Sequence, residues 1–211
     1  MKEELFQISH EIKNSLAVMK GYMALFDGNI EKYQKYMPLL EKSIDHSIEL
    51  LTDFKDIGNL TLDFDIIDIN YLLEEIIDIY KPIMLDKGIK LISNNLDEEL
   101  FIEGDYKRLK QVFVNILKNS VDAIEGECGD ITIETNSFNG NVIIIFKDNG
   151  CGMDEYTLSN IFKPFYTTKK YGTGLGMYIS KDIIDKHNGS IEYISNQNGT
   201  SVKIKLNQYM I

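Results

Sequence analysis

A chain of 211 residues, 44% of them hydrophobic and 26% charged, can bury one good domain and a smaller element. Its formal net charge of -11 argues against nucleic acid or an anionic membrane as the main partner, since both need a basic surface, but leaves room for a nucleotide. No apolar run approaches the roughly 20 residues of a membrane span, and the acidic, amphipathic start MKEELFQISHEI is not a signal peptide. Cys128 and Cys151 belong to no C-x-x-C pattern. They are expected to be free thiols of a cytoplasmic protein with no membrane insertion.

In chain order, apolar side chains fall at positions 5, 8, 12, 16, 19, 23 and 26, a narrow stripe along one helix. The break DGN at 27–29 offers Gly28 or Asn29 for a left-handed turn. A second stripe runs through Tyr33, Met37, Leu40, Ile44, Ile48, Leu51, Phe54 and Ile57. So short a break makes the two helices antiparallel. One hairpin leaves half of each stripe uncovered, so a second copy should complete a four-helix bundle. The other possibility is that the hairpin packs on its own C-terminal half. Near IGNLTLDFDII the texture changes. Helical patterns (INYLLEEIIDIYKPIMLDKG, DYKRLKQVFVNILKNSVDAIEGE) then alternate with the β-like runs IKLISN, DITIETN, NVIIIFKD, GSIEYIS and TSVKIKL. The late strands are separated by short turns, SFNGN and NQNG, which suit hairpins better than crossovers. The spacing predicts an α+β fold, a mixed sheet with helices on one face. Residues 1–60 are expected to form one domain and 61–211 a second.

Four stretches carry polar groups at spacings that chemistry uses. In ISHEIKNSL, the zinc-protease pattern fails because position 14 is Asn14, an amide and a poor zinc ligand. With Leu5, Ile8, Ile12 and Met19 on the seam, His10 falls opposite it, with Glu11 beside it and Asn14 one turn on. That suits a nucleophile meeting a mobile partner, and equally a solvated surface histidine. In NILKNSVDAI, Asn115 and Asn119 share a helix face, where two amides can carry a hydrated divalent ion or simply face solvent. In DNGCGM, Asp148 ends a strand and can accept from an exocyclic amine. Gly150 and Gly152 let the backbone approach a flat ring, or form a plain turn. In KKYGTGLGM, glycines 172, 174 and 176 lead into a helix whose bare N–H groups can bind phosphate, with Lys169 and Lys170 adding charge. The spacing is neither the Rossmann nor the P-loop pattern.

Taken in order, HEIKN, NILKNSVDAI, DNGCGM, IFKPFYTT and GTGLGM resemble the H box, N box, first glycine box, F box and second glycine box of sensor histidine kinases of two-component signalling. The resemblance spans nearly the whole chain, and the short lid FYTTKKYGTGLG is most similar to the sporulation-kinase and nitrogen-regulator branches. It implies a dimerising phosphotransfer hairpin followed by an α/β sandwich ATP-binding domain of the Bergerat (GHKL) type. His10 would be the phosphoacceptor, Glu11 the base for its ring proton, and Asn14 the residue orienting water when a partner's phosphoryl group is hydrolysed. Asn119 would ligate Mg²⁺, with Asn115 near the nucleotide. Asp148 would read the adenine amine, with Gly150 and Gly152 lining the ring. Gly172, Thr173, Gly174, Leu175 and Gly176 would cradle the phosphates of ATP, with Lys169 reaching them from the lid. The phosphohistidine would pass its group to an aspartate of a response-regulator receiver domain docked on the hairpin.

The chain departs from the family at Ser15, where most relatives carry proline, which predicts a straighter and stiffer helix beside the histidine. Only nine residues precede His10, so the signal is expected either from a separate sensor protein or from a part of the protein not in this chain. His46 and His187 match no catalytic position. His187 is expected to be structural and partly cationic at a helix end. The alternative function is a phosphorelay phosphotransferase or phosphatase with nucleotide as a regulator only. A non-kinase ATPase of the same fold would need a glutamate where Asn115 stands.

Overall fold

The computed structural model describes residues 2–26, 29–56, 60–96, 99–126, 128–169 and 172–210, with the backbone alone for residues 2–11, 49, 54 and 56. The chain forms two compact units: Met1–Leu60 with Phe165–Leu175, and Thr61–Pro164 with Gly176–Ile211.

The first unit is a helical hairpin of α1 (Lys2–Ala24) and α2 (Ile30–Asp56) with the inserted segment. Of the residues expected to turn the chain, Asp27 and Gly28 lie outside the described set. The Asn29 side-chain oxygen accepts the Glu31 N–H at 2.8 Å and caps α2. At the turn, Tyr22 stacks on Tyr36 and Phe26 meets Tyr33. Helix α1 runs unbroken through Ser15, whose hydroxyl donates across the hairpin to the Ser43 carbonyl at 3.0 Å. The same carbonyl accepts from the Ser47 hydroxyl at 3.0 Å. Ser15, Ser43 and Ser47 are buried, whereas Leu16, Met23, Ile48 and Leu51 remain 55%, 62%, 57% and 53% exposed. The periodicity located the apolar stripes, but within one chain small polar side chains share the interior with residues such as Leu50.

The second unit runs β1 (Asp65–Asp68), α3 (Ile69–Asp86), β2 (Ile89–Asn94), β3 (Phe101–Gly104), α4 (Tyr106–Ala123), β4 (Gly129–Phe138), β5 (Asn141–Asp148), α5 (Glu155–Asn160), α6 (Gly176–Lys186), β6 (Ser190–Asn196) and β7 (Gly199–Asn207). Five strands form one mixed sheet in the order β2-β4-β5-β7-β6, parallel only between β2 and β4. Ile131 and Ile133 of β4, Val142, Ile144 and Phe146 of β5, and Val202, Ile204 and Leu206 of β7 alternate into the core. There they meet the apolar faces of α3, α4 and α6, including Leu72, Ile76, Val112, Phe113, Ile116 and Ile183. Fully burying one such side chain contributes about 1.5–3 kcal/mol. The α+β layer with helices on one face is therefore the observed fold.

Asp68, Asp105 and Asp154 each cap a helix of this unit by accepting a backbone N–H of the first turn, at 3.0, 3.0 and 2.7 Å. The turn at Asn139 and Gly140, with φ of 50° and 72°, joins β4 to β5 as a tight hairpin. The antiparallel pair β1-β3 was not anticipated. Each strand is four residues long and acidic, too short for alternation to register. Among the described residues no helix is long and apolar enough to cross a membrane, and both cysteines are free.

Candidate functional site

The predicted site residues divide between the two units. His10, Glu11 and Asn14 lie on α1 of the hairpin, with Asn14 exposed. Lys169, Gly172, Thr173, Gly174 and Leu175 lie in the segment grouped with the hairpin. Asn115, Asn119, Asp148, Gly150, Gly152 and Gly176 lie in the second unit.

Within the second unit, α4 presents Asn115 and Asn119 one turn apart toward the start of α6. The Asn115 amide donates to the Ser180 hydroxyl at 2.9 Å. Its carbonyl oxygen accepts from Asn119 at 3.4 Å, and the Asn119 amide also approaches the Met177 sulfur at 3.9 Å. Gly176 is where these helices touch. A Cβ there would fall 2.7 Å from the Asn115 oxygen, so a larger residue would push the amide out of place. With the Asn119 NH₂ engaged, its carbonyl oxygen is the atom suited to a hard cation.

Asp148 closes β5 beside this face. One carboxylate oxygen accepts the Ser120 hydroxyl of α4 at 2.9 Å; the other accepts the N–H groups of Gly150 at 3.1 Å and Thr200 at 3.2 Å. A carboxylate offers about four acceptor positions, so these three bonds fix its orientation and leave capacity for one more donor, such as an exocyclic amine. Burial, and then the nearby Asp148 charge, push the Tyr193 hydroxyl far above its ordinary range. It therefore stays protonated and contacts the Met177 sulfur at 2.8 Å. Ser120, Thr200, Ser180 and Tyr193 escaped sequence reading. Ser120 adjoins Asn119 and shares its motif, which is a signal. Thr200 and Tyr193 come from distant strands and have none.

Gly150 and Gly152 answer to the protein's own packing. A Cβ on Gly150 would lie 2.6 Å from the Ala123 carbonyl oxygen, and one on Gly152, at φ 64°, would lie 1.7 Å from that of Asn196. The loop is thus pressed between the end of α4 and the β6-β7 turn, and the Met153 N–H is tied to Ser195 at 2.8 Å. A cavity of about 810 Å³ opens beside it, lined by Met153, Asp154, Leu158 and Asn196.

Within the first unit, the Thr173 hydroxyl accepts the Leu175 N–H at 3.2 Å and donates to Asp53 of α2 at 3.0 Å. Gly174, at φ 66°, packs against the backbone of Phe165, itself at φ 64°. Lys169 is exposed.

His187 follows α6 and is 4% exposed. Its Nε2 accepts the Asp105 N–H at 2.9 Å, so the proton is on Nδ1, which donates to the Ile183 carbonyl at 2.7 Å. Burial lowers its pKa, outweighing the carbonyl of Ile183 and the charge of Asp105. The residue is structural as expected, but neutral: the cationic reading of the helix end is corrected by desolvation.

The family model described as histidine kinase-, DNA gyrase B- and HSP90-like ATPase matches residues 104–210, the stretch holding both asparagines, Asp148 and all the glycines above. The chain belongs to this ATPase family. Sporulation kinase B of Bacillus subtilis (strain 168) is 29% identical over 205 residues, covering 94% of this chain and 48% of that protein. The catalytic domain of histidine kinase ThkA is 31% identical with a TM-score of 0.64, covering 69% of this chain and 96% of that one. ThkA solved in complex with the response regulator TrrA matches 98% of this chain and 61% of that one, at 24% identity and a TM-score of 0.78. The ATPase-family chain thus spans about half or less of the length of the curated sporulation kinases it resembles. Its ATP-binding fold is that of histidine kinase catalytic domains, and ATP is the nucleotide of the family.

Proposed function

We propose that this chain is the core of an ATP-dependent protein-histidine kinase that phosphorylates His10 and passes the group to an aspartate of a response-regulator receiver domain. The observation that carries the reading is the Asp148 carboxylate. It is held by Ser120, Gly150 and Thr200 beside the Asn115–Asn119 face of α4, in a chain that also carries a histidine-bearing helical hairpin. Asp148 selects the adenine amine through its remaining acceptor capacity, and Asn115 holds the helix face on which the nucleotide rests. Gly172, Thr173, Gly174, Leu175 and Gly176 hold the phosphates by backbone N–H groups, with Lys169 adding charge from the lid. Gly150 and Gly152 shape the loop beneath the ring. The Asn119 carbonyl oxygen would hold Mg²⁺, which would supply neutralisation of phosphate charge. Among the described residues no group of three or more acidic, histidine or cysteine side chains forms a cage for a metal. Magnesium needs none, since it keeps most of its waters.

In the reaction, a His10 ring nitrogen forms a bond to the γ-phosphorus as the bond to the leaving oxygen of ADP breaks, and Glu11 receives the proton from the other ring nitrogen. Positioning supplies most of the acceleration, because phosphoryl transfer has a loose transition state. In the reverse sense, Asn14 orients water for hydrolysis of a partner's acyl phosphate. The proposed receiver partner is supported by ThkA, whose solved complex contains a response regulator. The exposed Leu16, Met23, Ile48 and Leu51 support a homodimer through a four-helix bundle.

The test is labelling with γ-phosphate-labelled ATP and Mg²⁺ followed by acid treatment. Wild type is expected to carry an acid-labile label. His10→Gln should carry none, and Asn119→Ala should lose at least about a hundredfold in rate. Full labelling of His10→Gln would refute the acceptor assignment. A wild type that binds nucleotide and accepts phosphoryl groups from a receiver domain, yet never labels from ATP, would establish the phosphotransferase alternative.

A further inference from the structure

We propose that Asp53 is a positioning residue that restrains the glycine-rich segment and sets nucleotide affinity by competing with phosphate for Thr173. The inference rests on the nucleotide-binding reading of residues 172–176 and adds a controlling residue that lies outside every nucleotide motif. Its basis is one long-range bond inside the first unit. The Thr173 hydroxyl donates to Oδ2 of Asp53 at 3.0 Å, and both residues are buried. A neutral donor to a buried carboxylate is among the stronger hydrogen bonds a protein makes. Asp53 sits on the last turns of α2, far in sequence from the glycines, and composition or spacing gives no hint of the pairing.

Two features make this bond a restraint on the Gly172–Leu175 turn. The segment Phe165–Leu175 is closed at its base, because Gly174 packs directly on the Phe165 backbone. A Cβ on Gly174 would lie 2.4 Å from the Phe165 carbonyl carbon. Thr173 adjoins this contact, so its bond to Asp53 ties the Gly172–Leu175 turn to α2. The Leu175 N–H is also satisfied internally, by the Thr173 hydroxyl oxygen at 3.2 Å. A phosphate recruited to this turn must replace that bond and tolerate the Asp53 charge next to it. Two anions at one turn repel, and the pocket gains nothing from holding both. Nucleotide occupancy and the Asp53–Thr173 bond therefore oppose each other. By linkage, each weakens the other by the same factor. Nucleotide would thus release the segment from α2, and a rearrangement of α2 would retune nucleotide affinity.

The experiment uses the full chain. ADP affinity is measured by titration calorimetry for wild type, Asp53→Ala and Asp53→Asn, alongside hydrogen exchange of peptides spanning 165–175 without nucleotide. Loss of a charge-assisted bond corresponds to roughly a tenfold change in an equilibrium constant. Asp53→Ala is accordingly expected to bind ADP about tenfold more tightly and to exchange faster in that segment. Asp53→Asn keeps an acceptor without the charge, should fall between the two, and guards against a folding defect in the alanine variant. A merely structural role would leave affinity unchanged or lower it, and either result in a variant with wild-type melting overturns the proposal. If wild type binds no ADP, the nucleotide reading itself fails. In that case, exchange that is no faster in Asp53→Ala also rejects the restraint.

Discussion

The Asp148 carboxylate and the His187 imidazole both accept backbone N–H groups, with opposite consequences for charge. At Asp148 the donors converge on an anion at a strand end and orient it. At His187 the Asp105 N–H occupies the one basic nitrogen of a buried ring, with Phe64 beside it at 5.1 Å between centroids. Protonation would break that bond, so the folded-state pKa lies below the unfolded value. The unfolded chain therefore takes up a proton that the folded chain refuses. Stability is full above about pH 6.5 and falls as pH drops toward the folded pKa, by up to about 1.4 kcal/mol per pH unit. Urea denaturation between pH 5 and 8 should show this slope in wild type. In His187→Ala it should be shallower by that amount, with about 3 kcal/mol lost at pH 8 from the cavity and the orphaned Asp105 N–H. Equal slopes would refute the neutral-imidazole assignment. Sequence reading found His187 and its structural role. Its charge was illegible, because the deciding N–H belongs to Asp105, far away in sequence.

At the scale of elements, the glycine loops separate strain from collision. Gly140, at the β4-β5 turn, has φ 72° and open space around it, while Gly152 has φ 64° and the Asn196 carbonyl 1.7 Å from where a Cβ would stand. Gly140→Ala should cost about 1–2 kcal/mol, the strain of one left-handed residue. Gly152→Ala should cost distinctly more, about 3–5 kcal/mol, because the loop must also leave the β6-β7 turn. Chemical denaturation of the two variants checks the order; equal losses would mean that the loop relaxes freely. The same elements show what patterning can reach. β2, β4, β5, β6 and β7 were readable from alternation and turn residues, and α3 and α4 from their apolar faces. β1 and β3 were not, since four residues are too few for alternation to register.

For the whole molecule, the hairpin's own interior is notable for what it leaves out. Ser15, Ser43 and Ser47 line the contact between its helices, and the large side chains Leu16, Ile48 and Leu51 stay exposed. Such a face is stable when a second copy covers it. Light scattering should find wild type dimeric and the double variant Ile48→Glu, Leu51→Glu monomeric. A monomeric wild type would overturn the bundle. Ser15 keeps its backbone in an unbroken helix and adds a bond across the hairpin. The expected stiffening therefore has a second source that helix propensity alone did not suggest.

The sequence by itself determined the α+β class, the hairpin, most strand positions and the order of the ATP-family motifs, because periodicity and glycine spacing are local properties of a chain. Tertiary structure alone decided which groups hold the functional ones. Ser120 and Thr200 hold Asp148, Ser180 holds Asn115, the Asp105 N–H fixes the tautomer of His187, and Asp53 holds Thr173. Each of those pairings joins elements distant in sequence. A hydrogen bond depends on where two atoms end up in space, and only the packed core brings them within 3.5 Å.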